Sequence, residues 1–178
     1  MFRANVSKTS TPFGPGGTAH PAATSRGWEN ADQLAVQLTN VLSNRTLNEL
    51  MVGHAGFLFG EENLTHWSNH WLAKGSPFGA ITTGSPRITF TNFTIGGNAG
   101  APRYRVQDLY QVRDTLTTSY DARGRHDVKI GGELFLHQHY TNNCTQCMGI
   151  IDARGGPAPA NIEAILPDAF NADTWNLA

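Results

Sequence analysis

Hydrophobic and polar residues alternate most regularly between Tyr104 and Tyr140. The even positions carry Tyr104, Val106, Tyr110, Val112, Leu116 and Tyr120, with Asp108, Asp114 and Thr118 between them. The odd positions carry Arg105, Gln107, Leu109, Gln111, Arg113, Thr115, Thr117 and Ser119. A period of two marks a strand with one apolar face, whereas a helix would gather Arg105, Leu109 and Val112 on one mixed side. After Asp121-Ala122-Arg123-Gly124 the pattern resumes, with Val128, Ile130, Gly132, Leu134, Leu136 and Tyr140 set against Asp127, Lys129, Gly131, Glu133, His137 and His139. A tight, glycine-containing connection between two such runs predicts a β-hairpin. Each arm has room for about 14 residues, more than the usual soluble strand and natural for a tilted strand that crosses a bilayer and projects beyond it.

A second pair, Gln33 to Ser43 and Thr46 to Phe59, has the same layout around Ser43-Asn44-Arg45-Thr46, with poorer alternation. Between the two hairpins lies a polar, glycine-rich stretch with one short β-like run, Ile88 to Ile95. The predicted organisation is an irregular loop over 1–31, barrel strands in two hairpins over 32–141 with a long intervening loop at 60–103, and an extracellular loop segment over 142–178. Short and long connections alternate, so both tight turns fall at one end of the strands and both long segments at the other. That asymmetry belongs to outer-membrane barrels, with their short periplasmic turns and long extracellular loops. The expected fold class is therefore all-β: antiparallel up-and-down strands forming a partial transmembrane β-barrel with long extracellular loops.

The aromatic spacing agrees. Tyr110 and Tyr120 share a face ten residues apart; at roughly 3.3 Å per residue and 45° tilt they stand about 23 Å apart, close to the apolar band between aromatic girdles. Asp114 is the misfit, because a carboxylate at mid-depth on a lipid face is unfavourable. A bulge turning it inward, or a lumen-facing stretch of this strand, would accommodate it. On the second arm Val128, Ile130, Leu134 and Leu136 are the lipid-facing candidates, and Lys129 and Glu133 point to the lumen.

Composition adds limits. The chain has 178 residues, of which 39% are hydrophobic and 15% charged, and thirteen Lys and Arg against fourteen Asp and Glu give a formal net charge of -1. No basic excess drives binding to nucleic acid. No run of about 18 apolar residues exists to form a membrane helix, a test that barrel strands pass unnoticed. The opening residues lack the charged start and apolar run of a secretory signal.

Candidate chemistry is sparse. Cys144-Thr145-Gln146-Cys147 follows a hairpin instead of preceding a helix in a βαβ unit, so a loop-stapling disulfide between Cys144 and Cys147 is expected over a redox site. His137 and His139 share a strand face and lie near those cysteines, which makes a zinc site conceivable, but the spacing fits no standard finger. Gly96-Gly97-Asn98-Ala99-Gly100 has neither a phosphate-binding Lys nor a following helix. Trp67, Trp71 and Trp175 fit packing or interfacial roles better than a ligand platform. No catalytic, cofactor-binding or metal residue is assigned, and no enzyme activity is expected.

Three phrases carry a family resemblance: Asn44-Arg45-Thr46-Leu47-Asn48-Glu49-Leu50, Gln111-Val112-Arg113-Asp114-Thr115-Leu116, and Gly124-Arg125-His126-Asp127-Val128-Lys129-Ile130-Gly131-Gly132-Glu133. In this order, followed by the tail Ile165 to Asn176, they resemble the β-barrel region of TonB-dependent outer-membrane receptors, specifically the Oar-like group. The resemblance covers Gln33 to Ala178. It implies active uptake of a solute across the outer membrane of a Gram-negative bacterium, with outer-membrane lipid, the remainder of the receptor's own barrel and plug, and the TonB complex as partners. Such receptors have a plug and about 22 strands, so the chain is expected to be a fragment of a longer protein. The alternative reading is a soluble β-sandwich, a binding or adhesion module whose core would be the same apolar faces.

Overall fold

The computed structural model describes residues 1–14, 17–75 and 80–177. Pro15, Gly16 and the stretch 76–79, which fall in the expected loops, lie outside the described residues, as does Ala178. The chain divides into two compact units: residues 1–8, 29–58 and 105–140 form one, and 9–28, 59–104 and 141–178 the other. Five long strands contribute to both: β1 (Phe2–Phe13), β2 (Ser25–Ser43), β3 (Thr46–Asn63), β6 (Arg103–Asp121) and β7 (Arg125–Asn143). Short strands β4 (Arg87–Phe90), β5 (Thr94–Ile95) and β8 (Ile150–Ala153), and a one-turn helix α1 (Ile162–Ile165), belong to the second unit.

The first unit is one open sheet, with strands in the order β1-β2-β3-β6-β7. Cross-strand contacts fix its sense. The Met1 amine donates to Gln37 O at 2.6 Å and Asn5 meets Gln33; Gln37 meets Glu49 across β2 and β3, Thr46 meets Thr118 across β3 and β6, and Ser119 meets Asp127 across β6 and β7. Numbers fall on one strand as they rise on its neighbour, so every pair is antiparallel. The β6–β7 turn needs a left-handed backbone at Arg123 (φ 57°) and at Gly124 (φ 134°), and glycine at the second removes the Cβ clash there.

Two expectations change. Phe2–Phe13 is a strand, not irregular loop, and β2 starts at Ser25, inside the segment read as loop to residue 31. Phe2, Ala4 and Val6 do alternate with Arg3, Asn5 and Ser7, but the run is short and carries Pro12, which an edge strand tolerates because one row of its N–H groups goes unused. The soluble sandwich is also not what forms: the apolar faces of this unit pack into no core, and every buried hydrophobic residue of the described chain lies in the second unit.

That unit does have a core. β4 pairs antiparallel with β5 through Ile88↔Ile95 and parallel with β8 from Arg87↔Ile150 to Phe90↔Ala153. Ile88, Ile95 and Leu166 are buried, and Phe90, Phe93, Ile162, Ile165 and Trp175 pack around them. Gly96 is held at φ 99° with its α-carbon against the Pro86 carbonyl, where a Cβ would sit 2.0 Å from the oxygen. The segments expected as loops, 60–103 and 142–178, are thus folded against one another as a small structured body.

Candidate functional site

The sheet of the first unit presents two chemically different faces. Even-numbered residues carry one: Leu34, Val36 and Leu38 on β2, Val52 on β3, Tyr110, Val112, Leu116 and Tyr120 on β6, and Ile130, Leu134, Leu136 and Tyr140 on β7 are all exposed. Ile130 is 67% and Leu134 70% exposed, and Leu136 55%; Val128, on the same face, is half-buried. Exposed apolar side chains repeated across four strands mark a surface that meets another apolar phase. The opposite, odd-numbered face is mainly polar, although Val41 and Phe135 are also exposed on it. Gln111 donates to Glu133, Gln37 Nε2 donates to Glu49 at 3.2 Å, and Arg113 reaches Met51 Sδ at 3.7 Å. Glu49, Arg113 and Lys129 with Gln37, Met51 and Thr115 line a shallow depression of about 300 Å³ on that side. Lys129 and Glu133 share this polar face, one residue out of phase with Ile130 and Leu134.

Three polar contacts interrupt the apolar face. Asp114 keeps its place in the even register of an unbroken β6, so no inward rotation is needed: Asn48 Nδ2 donates to its carboxylate at 2.7 Å. Thr46 and Thr118 share a hydroxyl hydrogen bond at 2.9 Å. His54 lies between two carboxylates, with Nε2 3.1 Å from Asp108 and Nδ1 3.3 Å from Asp32, and its ring lies 4.7 Å from that of Tyr110. A neutral imidazole can donate to only one of the two carboxylates. The two carboxylates occupy opposite edges of the ring and do not converge on one point. Among the described residues no set of three or more His, Cys, Asp and Glu is arranged to hold a metal ion. His137 and His139 stack in parallel, with centroids 6.1 Å apart.

In the second unit the most buried polar cluster surrounds Glu61, which is 1% exposed. Ser25 Oγ, Asn98 Nδ2 and Arg103 Nε all donate to its carboxylate. Asn63, equally buried, accepts from Asn98 N at 2.6 Å and donates to Ala101 O at 3.2 Å. The network therefore fastens residues 97–103 to the ends of β2 and β3. Sequence reading missed it because Glu61 and Glu62 look alike in the chain; only Glu61 faces the loop, while Glu62 pairs with Arg26 at the surface.

A second fastening centres on Asp173. It accepts from the Ser68 amide at 3.0 Å, Ser68 Oγ at 2.6 Å and the Asn69 amide at 3.3 Å, with His66 Nε2 at 3.4 Å. The Ser68 hydroxyl bond, then the backbone donors and His66, hold this carboxyl below its ordinary value. Asp152, chelated by Arg154, is lowered to about 2. Burial depresses His70, against whose ring Trp67 lies at 4.8 Å.

The Cys144 and Cys147 sulfurs are bonded to each other. With both thiols used in this way, zinc has no thiolate here. The Cys144 amide donates to Pro102 O and the Gln146 amide to Ala99 O, so the bridged turn lies along the segment that Glu61 holds. The three tryptophans divide their roles. Trp175 joins the small core, Trp67 covers His70, and Trp71, 62% exposed, extends its indole N–H toward Cys147 O at 3.4 Å. His20, Phe93, Ile95, Glu163, Leu166 and Ala169 border a groove of about 460 Å³ on this unit.

A family model described as "Outer membrane beta barrel domain" matches residues 1–170. No curated protein and no solved structure matches the chain.

Proposed function

Since the chain belongs to the outer membrane beta barrel domain family, and so resides in the outer membrane, we propose that it forms part of the wall and outer surface of a TonB-dependent, Oar-like receptor that takes up a solute. Family membership accounts for the exposed apolar face, which lipid covers, and for the open sheet, which is part of a larger barrel. In this reading Val128, Ile130, Leu134 and Leu136 face lipid, and Lys129, Glu133, Arg113 and Glu49 face the lumen. The second unit, fastened internally through Glu61 and Asp173, is the ordered extracellular part.

The observation that carries the receptor assignment is the run Arg123-Gly124-Arg125-His126, followed by alternating apolar residues, Lys129 and Gly131-Gly132-Glu133, which spans the tight β6–β7 turn as it does in the Oar-like group. Capture of the solute falls to the extracellular part and the lumen, and energy arrives from a TonB-type inner-membrane partner through a plug. The test is binding of the periplasmic domain of the TonB protein to the full-length protein in native outer-membrane vesicles. Saturable binding that depends on an intact plug is expected. An absence of binding, with the protein folded in the membrane, removes the TonB assignment and leaves a barrel of another kind.

A further inference from the structure

The groove of the second unit opens onto that unit's core. Ile95 and Leu166 line it although both are buried, and Phe93 and Ile162, packed against them, line it as well. It is therefore a gap in the cover of the core and not a crease between surface loops. Its sides are fixed by the backbone. His20 N donates to Thr94 O at 2.7 Å, which ties His20 to β5. Leu166 N donates to Ile162 O at 2.8 Å and Asn176 Nδ2 to Ala164 O at 3.1 Å, which hold α1 and with it Glu163. A cleft held in this way is formed before anything enters it, and about 460 Å³ is ample for a small molecule.

Two polar side chains interrupt the apolar lining. His20 Nδ1 accepts from the Ala22 amide at 3.0 Å, so the ring holds its proton at Nε2 and adds no charge. Phe93 and Phe170 meet that ring edge to face, with centroids 6.5 and 5.8 Å away. Glu163 is the one acidic residue on the lining, and among the described residues no side chain pairs with its carboxylate. A lone carboxylate beside aliphatic and aromatic walls complements a cation carried on an apolar body. An anion would be repelled by Glu163. A bare metal ion would find a single ligand and leave the apolar walls wet.

We propose that this groove binds a small solute that carries a protonated primary amine on an aromatic or branched apolar body. The amine donates to the Glu163 carboxylate, a charge-assisted bond. The apolar body covers Ile95 and Leu166 between Phe93 and Ile162, removing from water the part of the core that the chain itself leaves open. As the capture site of an uptake receptor the groove rests on the function proposed above, but its affinity for amines does not. A failed TonB-binding test leaves the site standing, and a failed amine-binding test leaves the TonB assignment standing.

Equilibrium dialysis of phenethylamine against the full-length protein in phosphatidylcholine vesicles, with protein-free vesicles alongside, tests the proposal. Saturable binding is expected. Ethylamine and 2-phenylethanol, each lacking one half of the recognised structure, should bind at least about tenfold more weakly, and 3-phenylpropanoate should not compete. Glu163 is exposed, so its replacement leaves the core alone. Glu163→Gln should weaken phenethylamine about 10- to 100-fold and leave 2-phenylethanol unchanged, and Glu163→Lys should turn the preference to 3-phenylpropanoate. Hydrogen-exchange protection of the Leu166 amide reports that the groove is intact in each variant. No saturable binding above that of protein-free vesicles would overturn the proposal, as would equal affinity for phenethylamine and 2-phenylethanol in the unmodified protein. So would phenethylamine binding that survives Glu163→Gln, or an equal loss of both aromatic probes in that variant with Leu166 still protected.

Discussion

Ile130→Arg separates a lipid-facing sheet from a water-facing one, because the two environments predict opposite results at the same residue. Ile130 is 67% exposed. In water, a substitution at such a position stays within about 0.5 kcal/mol of neutral. In a bilayer its depth matters. The stacked rings of Tyr120 and His126 set β7 against β6, and Ser119–Asp127 confirms the register. Ile130 is four residues along β7 from His126, which at roughly 3.3 Å per residue and 45° tilt is about 9 Å above the Tyr120 girdle. The Tyr110 girdle stands about 23 Å above it on the same geometry. Ile130 therefore lies near mid-depth, where an arginine costs about 2–4 kcal/mol, a loss of about 30- to 1000-fold in the folding equilibrium. Leu136 is ten residues from His126, level with Tyr110, so Leu136→Arg costs only about 0–1 kcal/mol. The assay is reversible denaturant unfolding of the full-length protein in lipid vesicles, followed by tryptophan fluorescence. Equal effects at the two positions, or an Ile130→Arg effect within experimental error of zero, would refute the placement of this face.

Asn48→Leu is expected to destabilise the barrel by about 1.5–3 kcal/mol in the same assay, because it removes the donor from the Asp114 carboxylate; Asn48→Leu with Asp114→Leu should restore most of the loss, since both polar partners are then gone. Arg103→Ala leaves Glu61 charged and buried, and should weaken the second unit by about 3 kcal/mol, the low end of the range because Arg103 itself is partly hydrated. Faster hydrogen exchange at the Asn98 and Ala101 amides would report it. Asp173 has a depressed carboxyl pKa in the folded chain, so its contribution is complete above the ordinary carboxylate value of 3.8 and is lost as pH falls through the lowered one. Protection of the Ser68 and Asn69 amides should accordingly be flat from neutral pH to about 5 and decline only below the ordinary carboxylate range, whereas Asp173→Ala should lack that protection at every pH.

The strands of the two hairpins were legible in the sequence because a half-buried strand writes its two environments into alternate residues, and lipid on one side demands apolar side chains there as a protein core would. Pattern alone therefore identified the apolar face of β6 and β7, including Ile130 and Leu134, without distinguishing by itself a bilayer from a sandwich core. Only the tertiary structure placed the hydrophobic core in the second unit and left the sheet's apolar face bare, which is what separates the two. It also found β1, whose edge position relaxes the constraints that would make its sequence conspicuous. Glu61, Asn63 and Asn98 likewise gave no local signal, since a buried polar cluster is defined by partners far apart in the chain. Asp114 shows the division most clearly: the sequence marked it as an offence against the apolar pattern, and the structure resolves it with Asn48, because a hydrogen bond is a relation between two strands and periodicity describes only one.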